Sequence, residues 1–176
     1  YAARMCFVGA VVAFFFFETQ LMQQVMGFSP VQAGLGFLPM TIPTFFAALL
    51  VPRLTKAWGN ANLLCVSLAA LALGMFWLSF AGDDPNYWGD IALPMVVLGL
   101  GNGGALGPLT VAGVAGVSGR HQGAASGAVN AAHQLGGSLG LSILATIFAA
   151  AAVPTLPPVL GLAHQVSTAI FGPGLL

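Results

Sequence analysis

Charge is the scarcest property of this 176-residue chain. Four Lys and Arg and four Asp and Glu make up 5% of it, against 58% hydrophobic residues. So few charges exclude a soluble domain, because no solvated face of ordinary size can be assembled from them. Cysteine is nearly absent too: Cys6 and Cys65 cannot frame a disulfide fold and are expected as reduced, packed thiols near the ends of the first and third apolar runs. The chain also lacks His, Cys, Asp and Glu grouped at ligand or catalytic spacing. His121 falls in a loop, His133 stands alone, and His164 follows the proline-rich stretch from Pro154 to Pro158. No metal site, no cofactor and no nucleic-acid partner is expected, and an intramembrane enzyme would lack its nucleophile or metal cluster.

What is present is long apolar runs. A helix rises roughly 1.5 Å per residue, so about 20 apolar residues cross a hydrocarbon core of about 30 Å. Five runs qualify, at residues 5–25, 30–51, 62–80, 91–114 and 122–152, and residues 153–176 read as a loop with the start of a sixth span near Val166. The expected fold is an all-α membrane protein with five transmembrane helices. The chain opens on Tyr1 and ends in the apolar stretch Phe171 to Leu176, which reads as a fragment. No cleavable signal fits the start, since the first run continues into further spans.

Basic residues set the expected orientation, because Lys and Arg in short loops stay in the cytoplasm. Arg4 precedes the first run, Arg53 and Lys56 fall between the second and third, and Arg120 lies between the fourth and fifth. The alternate connections carry none of them. A multi-pass protein of the cell's inner (plasma) membrane with a cytoplasmic N-terminus follows. Trp77, Tyr87 and Trp88 would mark the outer interface and Trp58 the inner one. The stretch from Asp83 to Asn86 has turn chemistry, and Asp90 is placed to cap the fourth span. Ser29-Pro30-Val31-Gln32 has the pattern of a capping box with proline at the first helical position. Pro39 and Pro43 in the second span each free a carbonyl and bend the helix.

The fourth run contains Gly99-Leu-Gly-Asn-Gly-Gly104, which formally satisfies the dinucleotide pattern G-x-G-x-x-G. That pattern needs a preceding strand and an acidic residue about 20 positions on; here it lies inside an apolar helix and the position falls in Arg120 to Gly123. Gly99, Gly103 and Gly107 recur every four residues along one ridge, which suits close helix packing. Asn102 is the polar side chain of this stretch, either facing a pathway or bonding a neighbouring helix.

The fifth run exceeds one bilayer crossing, so its first turns project into the cytoplasm or line a wide inner vestibule. Ser126, Asn130, His133 and Gln134 share one face by their i, i+4, i+7, i+8 spacing. A polar stripe inside a membrane helix is costly unless it meets protein or water. Gly136 and Gly140 again suit close packing.

Glu18 stands behind four phenylalanines, Phe14 to Phe17. It shares a face with Val11, Phe14, Phe15 and Met22, whereas Thr19, Gln20, Gln23 and Gln24 cluster on the opposite side. Counted from Met5, Glu18 lies about 20 Å deep, and His133 counted from Gln122 about 17 Å, so the two are expected at similar depth. A carboxyl group in such a place exchanges protons only when water reaches it, as a proton-coupling site requires; the alternative is a protonated group bonded between helices.

Three stretches, MQQVMGFSPVQAGLGFLPMTIP, VPRLTKAWG and GAASGAVNAAHQLGGSLGLSILATI, resemble in order and spacing the C-terminal half of major facilitator superfamily transporters, most of all the fourteen-span drug:proton antiporters of the EmrB/QacA type. The resemblance implies five helices forming most of a C-terminal six-helix bundle, with substrate held against an N-terminal bundle that this chain lacks. It further implies proton-coupled efflux of small apolar or cationic compounds by alternating access, with the lipid bilayer, protons and a small-molecule substrate as partners. Glu18 is then the proton-coupling candidate. Gln20, Gln23, Gln24, Asn102, Ser126, Asn130, His133 and Gln134 are substrate-pathway candidates. Arg53 and Gly59 match a degenerate gating-loop motif. Two departures stand out: His133 replaces the arginine common in N-x-x-R-QLGG, and the glycine-proline antiporter motif would belong to the missing half. A metabolite or siderophore exporter on the same scaffold, or a structural membrane subunit, are the alternatives.

Overall fold

The computed structural model describes residues 1–81 and 85–150, which are helical with short connections. The Asp83-Asp84 turn, the 153–176 segment, the sixth span and His164 lie outside the described residues. Helix α1 (Ala2–Gln20) continues into a π-helical turn, Leu21–Val25. A short α2 (Pro30–Leu35) leads to α3 (Leu38–Trp58) and α4 (Asn60–Leu78). A second π-helical turn, Tyr87–Ala92, opens α5 (Leu93–Val114), and the 3-10 turn Gly119–His121 opens α6 (Gln122–Ala150). Together with these turns, five segments among the described residues are long and apolar enough to cross a membrane: Ala2–Val25, Pro30–Trp58, Asn60–Leu78, Tyr87–Val114 and Gly119–Phe148.

The ends of these segments differ from those read off hydropathy, for local reasons. Helix α3 runs on to Trp58, so Arg53 and Lys56 occupy its last turns instead of a loop. Gly59 alone parts α3 from α4, with φ at 81°, a left-handed conformation that glycine adopts without a Cβ penalty. Ser29 and Gln32 form the reciprocal capping box, the Gln32 amide donating to Ser29 Oγ at 3.3 Å and the Ser29 amide to Gln32 Oε1 at 2.9 Å. Pro39 does not bend a helix: it sits in the first turn of α3, after the break at Gly36 and Phe37. There its missing N–H costs nothing. Pro43 and Pro52 lie inside α3. At the start of the fourth segment the cap is Asn86, whose Oδ1 accepts from the Trp88 amide at 3.0 Å, while Asp90 Oδ2 accepts from the Asn86 amide at 2.8 Å. Asp90 thus closes the cap from inside the turn.

Helix α5 is the centre of the packing. Its Gly99 and Gly103 lie against the α3 backbone, where an added Cβ would collide with the carbonyls of Met40 and Thr44. On its other side a Cβ added to Gly101 would lie 2.7 Å from the Ser67 carbonyl of α4. Without side chains at these points the backbones approach closely, and dispersion and weak polar contacts replace the hydrophobic drive that lipid cannot supply. Helix α1 pairs with α6 through a second glycine contact, Gly9 with Gly136 and Gly140. A cluster including Phe14, Met22, Met40, Met95, Leu98 and Ala105 ties α1 to α3 and α5. Cys6 and Cys65, expected as packed thiols, are exposed on the chain's surface, a location that suits a lipid- or protein-covered face of a membrane helix.

Candidate functional site

Helix α1 carries the buried acid. Glu18 is 0% exposed, and neither of its carboxyl oxygens has a hydrogen-bond partner among the described residues. One helical turn to either side stand Phe14 and Met22, both buried, and Phe17 beside it is sealed by Phe148 of α6 at a ring separation of 5.1 Å. Phe15 and Phe16 of the same run point outward. Phe14 and Met22 belong to the core shared with α3 and α5, whereas Phe17 packs toward α6, so the carboxyl group sits on a stretch of α1 buried against apolar side chains. A polar group left unpaired in such surroundings carries a substantial desolvation cost, so its place there asks for a reason.

The glutamines beyond it sit where the helix widens. Gln23 and Gln24 belong to the π-helical turn, and Gln24 Nε2 donates to Gln20 Oε1 across it. Gln20 and Gln23 are half-buried and Gln24 is exposed. Single-turn π-bulges are rare and frequent at functional sites, and nothing in a 100° helical wheel signals one. Asn102 on α5 is half-buried, and its Oδ1 is enclosed without a partner among the described residues.

On α6 the stripe divides. Ser126, Asn130 and Gln134 are exposed, while Ala125, Val129, Ala132 and Gly136 form the buried side. His133 turns away from the free face and is half-buried: an Arg4 guanidinium nitrogen lies 3.3 Å from its Nδ1. Arg4 also donates to the Thr110 hydroxyl at 2.9 Å and to the Leu106 carbonyl at 3.3 Å, both on α5. His133 therefore does not stand alone, and Arg4, used above only to set orientation, is the residue that gathers α1, α5 and α6.

That contact also fixes the register and overturns the similar-depth expectation for Glu18 and His133. Arg4 meets His133, Gly9 meets Gly136 and Gly140, and Phe17 meets Phe148, so α1 and α6 run parallel with rising numbers in step. Glu18 is fourteen residues beyond Arg4, or about 21 Å along the helix axis at 1.5 Å per residue. The two groups stand at different levels of the bundle. Counting from the start of each run, Met5 and Gln122, failed because α6 begins well before the level at which α1 begins.

The four basic residues gather at one end: Arg4 at the start of α1, Arg53 and Lys56 at the end of α3, and Arg120 between α5 and α6. Arg53 is exposed there, and Gly59 makes the tight reversal that follows. Beside them a groove of about 350 Å³ is lined by Val51, Lys56, Asn60, Gly107 and Pro108, and the Asn60 side-chain Nδ2 donates to the Pro108 carbonyl at 3.2 Å. An almost wholly apolar groove of about 410 Å³ follows the α1–α6 seam past Cys6, Gly9, Leu139 and Gly140. Gly9 was not singled out by sequence, because one glycine in an apolar run has no spacing to mark it.

Comparison with known proteins identifies the family. The Major Facilitator Superfamily family model matches residues 1–141. A cephamycin export protein of Amycolatopsis lactamdurans is 38% identical over 137 residues, covering 77% of this chain and 28% of the relative. A drug efflux pump of Mycobacterium tuberculosis is 33% identical over 153 residues, 86% of this chain and 29% of the relative. A multidrug efflux pump of Mycolicibacterium smegmatis is 33% identical over 141 residues, 80% of this chain and 28% of the relative. The chain thus spans under a third of the length of these relatives.

Proposed function

Because the chain belongs to the Major Facilitator Superfamily and is a multi-pass membrane protein with five spanning helices, we propose that it forms most of the C-terminal bundle of a proton-coupled exporter. The complete transporter moves small apolar or cationic compounds out of the cell by alternating access between this bundle and an N-terminal one. The observation that carries the reading is the similarity over most of the chain to proteins named for export and efflux. Transport, not enzymatic turnover, is the activity that goes with it.

The geometry supports a division of roles. The exposed side chains Ser126, Asn130 and Gln134 supply a polar wall that a second bundle completes, with Gln20, Gln23, Gln24 and Asn102 as further pathway groups. Polar residues on a membrane helix face protein or a water-filled cavity because lipid offers them no partners. Glu18 supplies the proton-exchanging group: enclosed in apolar side chains, it changes protonation only when the conformational cycle admits water. His133 stands about 21 Å from Glu18 along the bundle axis, near the basic end, where Arg4 holds it. Arg53 and Gly59 lie at the α3–α4 reversal, where a gate between bundles would act. The basic end faces the cytoplasm across the inner membrane, since all four Lys and Arg fall there.

Dye efflux from cells expressing the complete transporter tests the proposal. Energised cells are expected to lose a cationic dye several-fold faster than cells without the transporter, and a protonophore should remove that difference. Efflux that persists undiminished after the gradient collapses would rule out proton coupling.

A further inference from the structure

Of the five buried side-chain nitrogen and oxygen atoms that have no hydrogen-bond partner among the described residues, four are Arg4 Nε, Asn102 Oδ1 and the two carboxyl oxygens of Glu18. These three residues lie on one seam. Arg4 donates to the Leu106 carbonyl and the Thr110 hydroxyl of α5, whereas Phe28, beyond the other end of α1, packs on Tyr87 ahead of α5 at a ring separation of 5.8 Å. Helices α1 and α5 are therefore antiparallel. On α1, Arg4, Val11 and Glu18 recur every seven residues, and a helix drifts only about 20° per heptad, so Glu18 points within about 40° of the direction in which Arg4 meets α5. On α5, Asn102 is four residues before Leu106, and Leu98, Ala105 and Leu109 around it share a buried cluster with Phe7, Val8 and Phe14 of α1. Asn102 is thus on the side of α5 that packs on α1. From the level of Arg4 it stands about 9 Å along the seam and Glu18 about 21 Å, at about 1.5 Å per residue. The fifth atom, Asn60 Oδ1, belongs to the groove at the basic end.

A buried polar atom without a protein partner is ordinarily served by water, which bridges such groups through hydrogen bonds about 2.8 Å long. Phe14 and Leu98 fill the stretch between Asn102 and Glu18 in this conformation, so water crosses it only when α1 and α5 part. The approach from the other end offers water less. There a groove of about 250 Å³ is lined by Phe28, Gln32, Leu35, Gly36 and Tyr87, but its side-chain oxygens are already bonded: Tyr87 Oη donates to the Gly36 carbonyl at 3.0 Å and Gln32 Oε1 accepts from the Ser29 amide at 2.9 Å. Fully buried Met22, whose Sδ packs on Gly36, stands between that groove and Glu18. We infer that water reaches Glu18 along the α1–α5 seam from the basic end of the bundle, with Asn102 as its intermediate hydrogen-bonding station. The inference deepens the reading of Glu18 as the proton-exchanging group and rests on it. Asn102 is a positioning residue here, since its amide holds water and does not itself titrate.

Exchange of the Glu18 proton for deuterium tests it. The complete transporter in proteoliposomes is moved from mildly acidic water into heavy water while infrared spectra are recorded, and the protonated-carboxyl stretch that Glu18→Gln removes identifies the group. Asn102→Leu gives up no bond of Oδ1, so the fold is kept, but it removes the station. Exchange at Glu18 is expected to slow about tenfold, the worth of one such hydrogen bond. Asn102→Ser returns an oxygen and should restore most of the rate, and Tyr87→Phe, which breaks the bond at the outer groove, should leave the rate as it is. A wild-type rate in Asn102→Leu overturns the route, as does failure of Asn102→Ser to restore it. Acceleration by Tyr87→Phe also overturns it, by placing the entry at the outer groove. If Glu18→Gln removes no protonated-carboxyl band, the reading of Glu18 as the proton-exchanging group fails, and the route with it. Dye transport by the same variants is scored separately: slowed exchange with undiminished transport in Asn102→Leu supports the route and removes Glu18 from the coupling.

Discussion

Glu18→Gln in the complete transporter is expected to cut proton-driven transport on the order of 100-fold, the scale seen when an essential proton-transfer group is removed, while leaving folding and substrate binding intact. The two expectations come from the same observation. Both oxygens of Glu18 are buried without partners among the described residues, so a carboxamide of the same shape leaves about as many unpaired groups as before. Thermal stability should then change little, because no formed hydrogen bond is lost. What the amide cannot do is release and recover a proton. Glu18→Asp keeps that chemistry but draws the carboxyl group one methylene closer to the α1 backbone, so a reduced, still gradient-driven rate is expected. The measurement is gradient-driven dye accumulation in proteoliposomes beside a binding assay on the same preparations. Wild-type transport by Glu18→Gln would make the glutamate a structural group between helices.

The second large effect concerns the α3–α5 contact. Gly99→Ala and Gly103→Ala each place a methyl group against a carbonyl of α3, Met40 and Thr44 respectively. A backbone carbonyl cannot step aside as a flexible side chain can, so the helices must separate. Their separation stretches the Thr44 hydroxyl contact to the Gly99 carbonyl, now 3.0 Å. Overpacking of this kind costs about 1–3 kcal/mol, and a lower unfolding temperature in detergent with poorer yield is expected. Gly127→Ala is the matched comparison: a Cβ there meets nothing within 4 Å, and alanine is favoured over glycine in a helix by about 1 kcal/mol. It should be neutral or stabilising. Equal losses from all three variants would mean that close packing is not what these glycines serve.

How far each feature could be read from sequence follows from the range of the interaction behind it. Long apolar runs and the Ser29-Gln32 capping box depend on neighbours within a few positions, and both are present in the structure, the runs with shifted ends. The collection of Arg4, Arg53, Lys56 and Arg120 at one end is equally a matter of composition along the chain. The Gly99 ridge was legible because its spacing repeats. Features set by contacts between distant segments were not. Hydropathy gives the length of a span but not its axial register, so Glu18 and His133 looked level until the Arg4 contact placed them about 21 Å apart. The π-helical turns at Leu21–Val25 and Tyr87–Ala92 follow from packing and leave no periodic mark. Pro39 shows the same limit on a smaller scale: a proline inside an apolar run reads as a kink, and only the break at Gly36 and Phe37 makes it a helix start.

Reconstitution of two forms side by side decides whether these five helices are one wall of a two-walled, proton-driven exporter. The complete transporter and the present chain alone are placed in separate proteoliposomes, a pH gradient is imposed, and uptake of a cationic dye is followed with and without a protonophore. Saturable, protonophore-sensitive accumulation is expected of the complete protein and none of the chain alone, whose Ser126, Asn130 and Gln134 face would lack its opposite wall. Saturable dye flux from the chain by itself would contradict it.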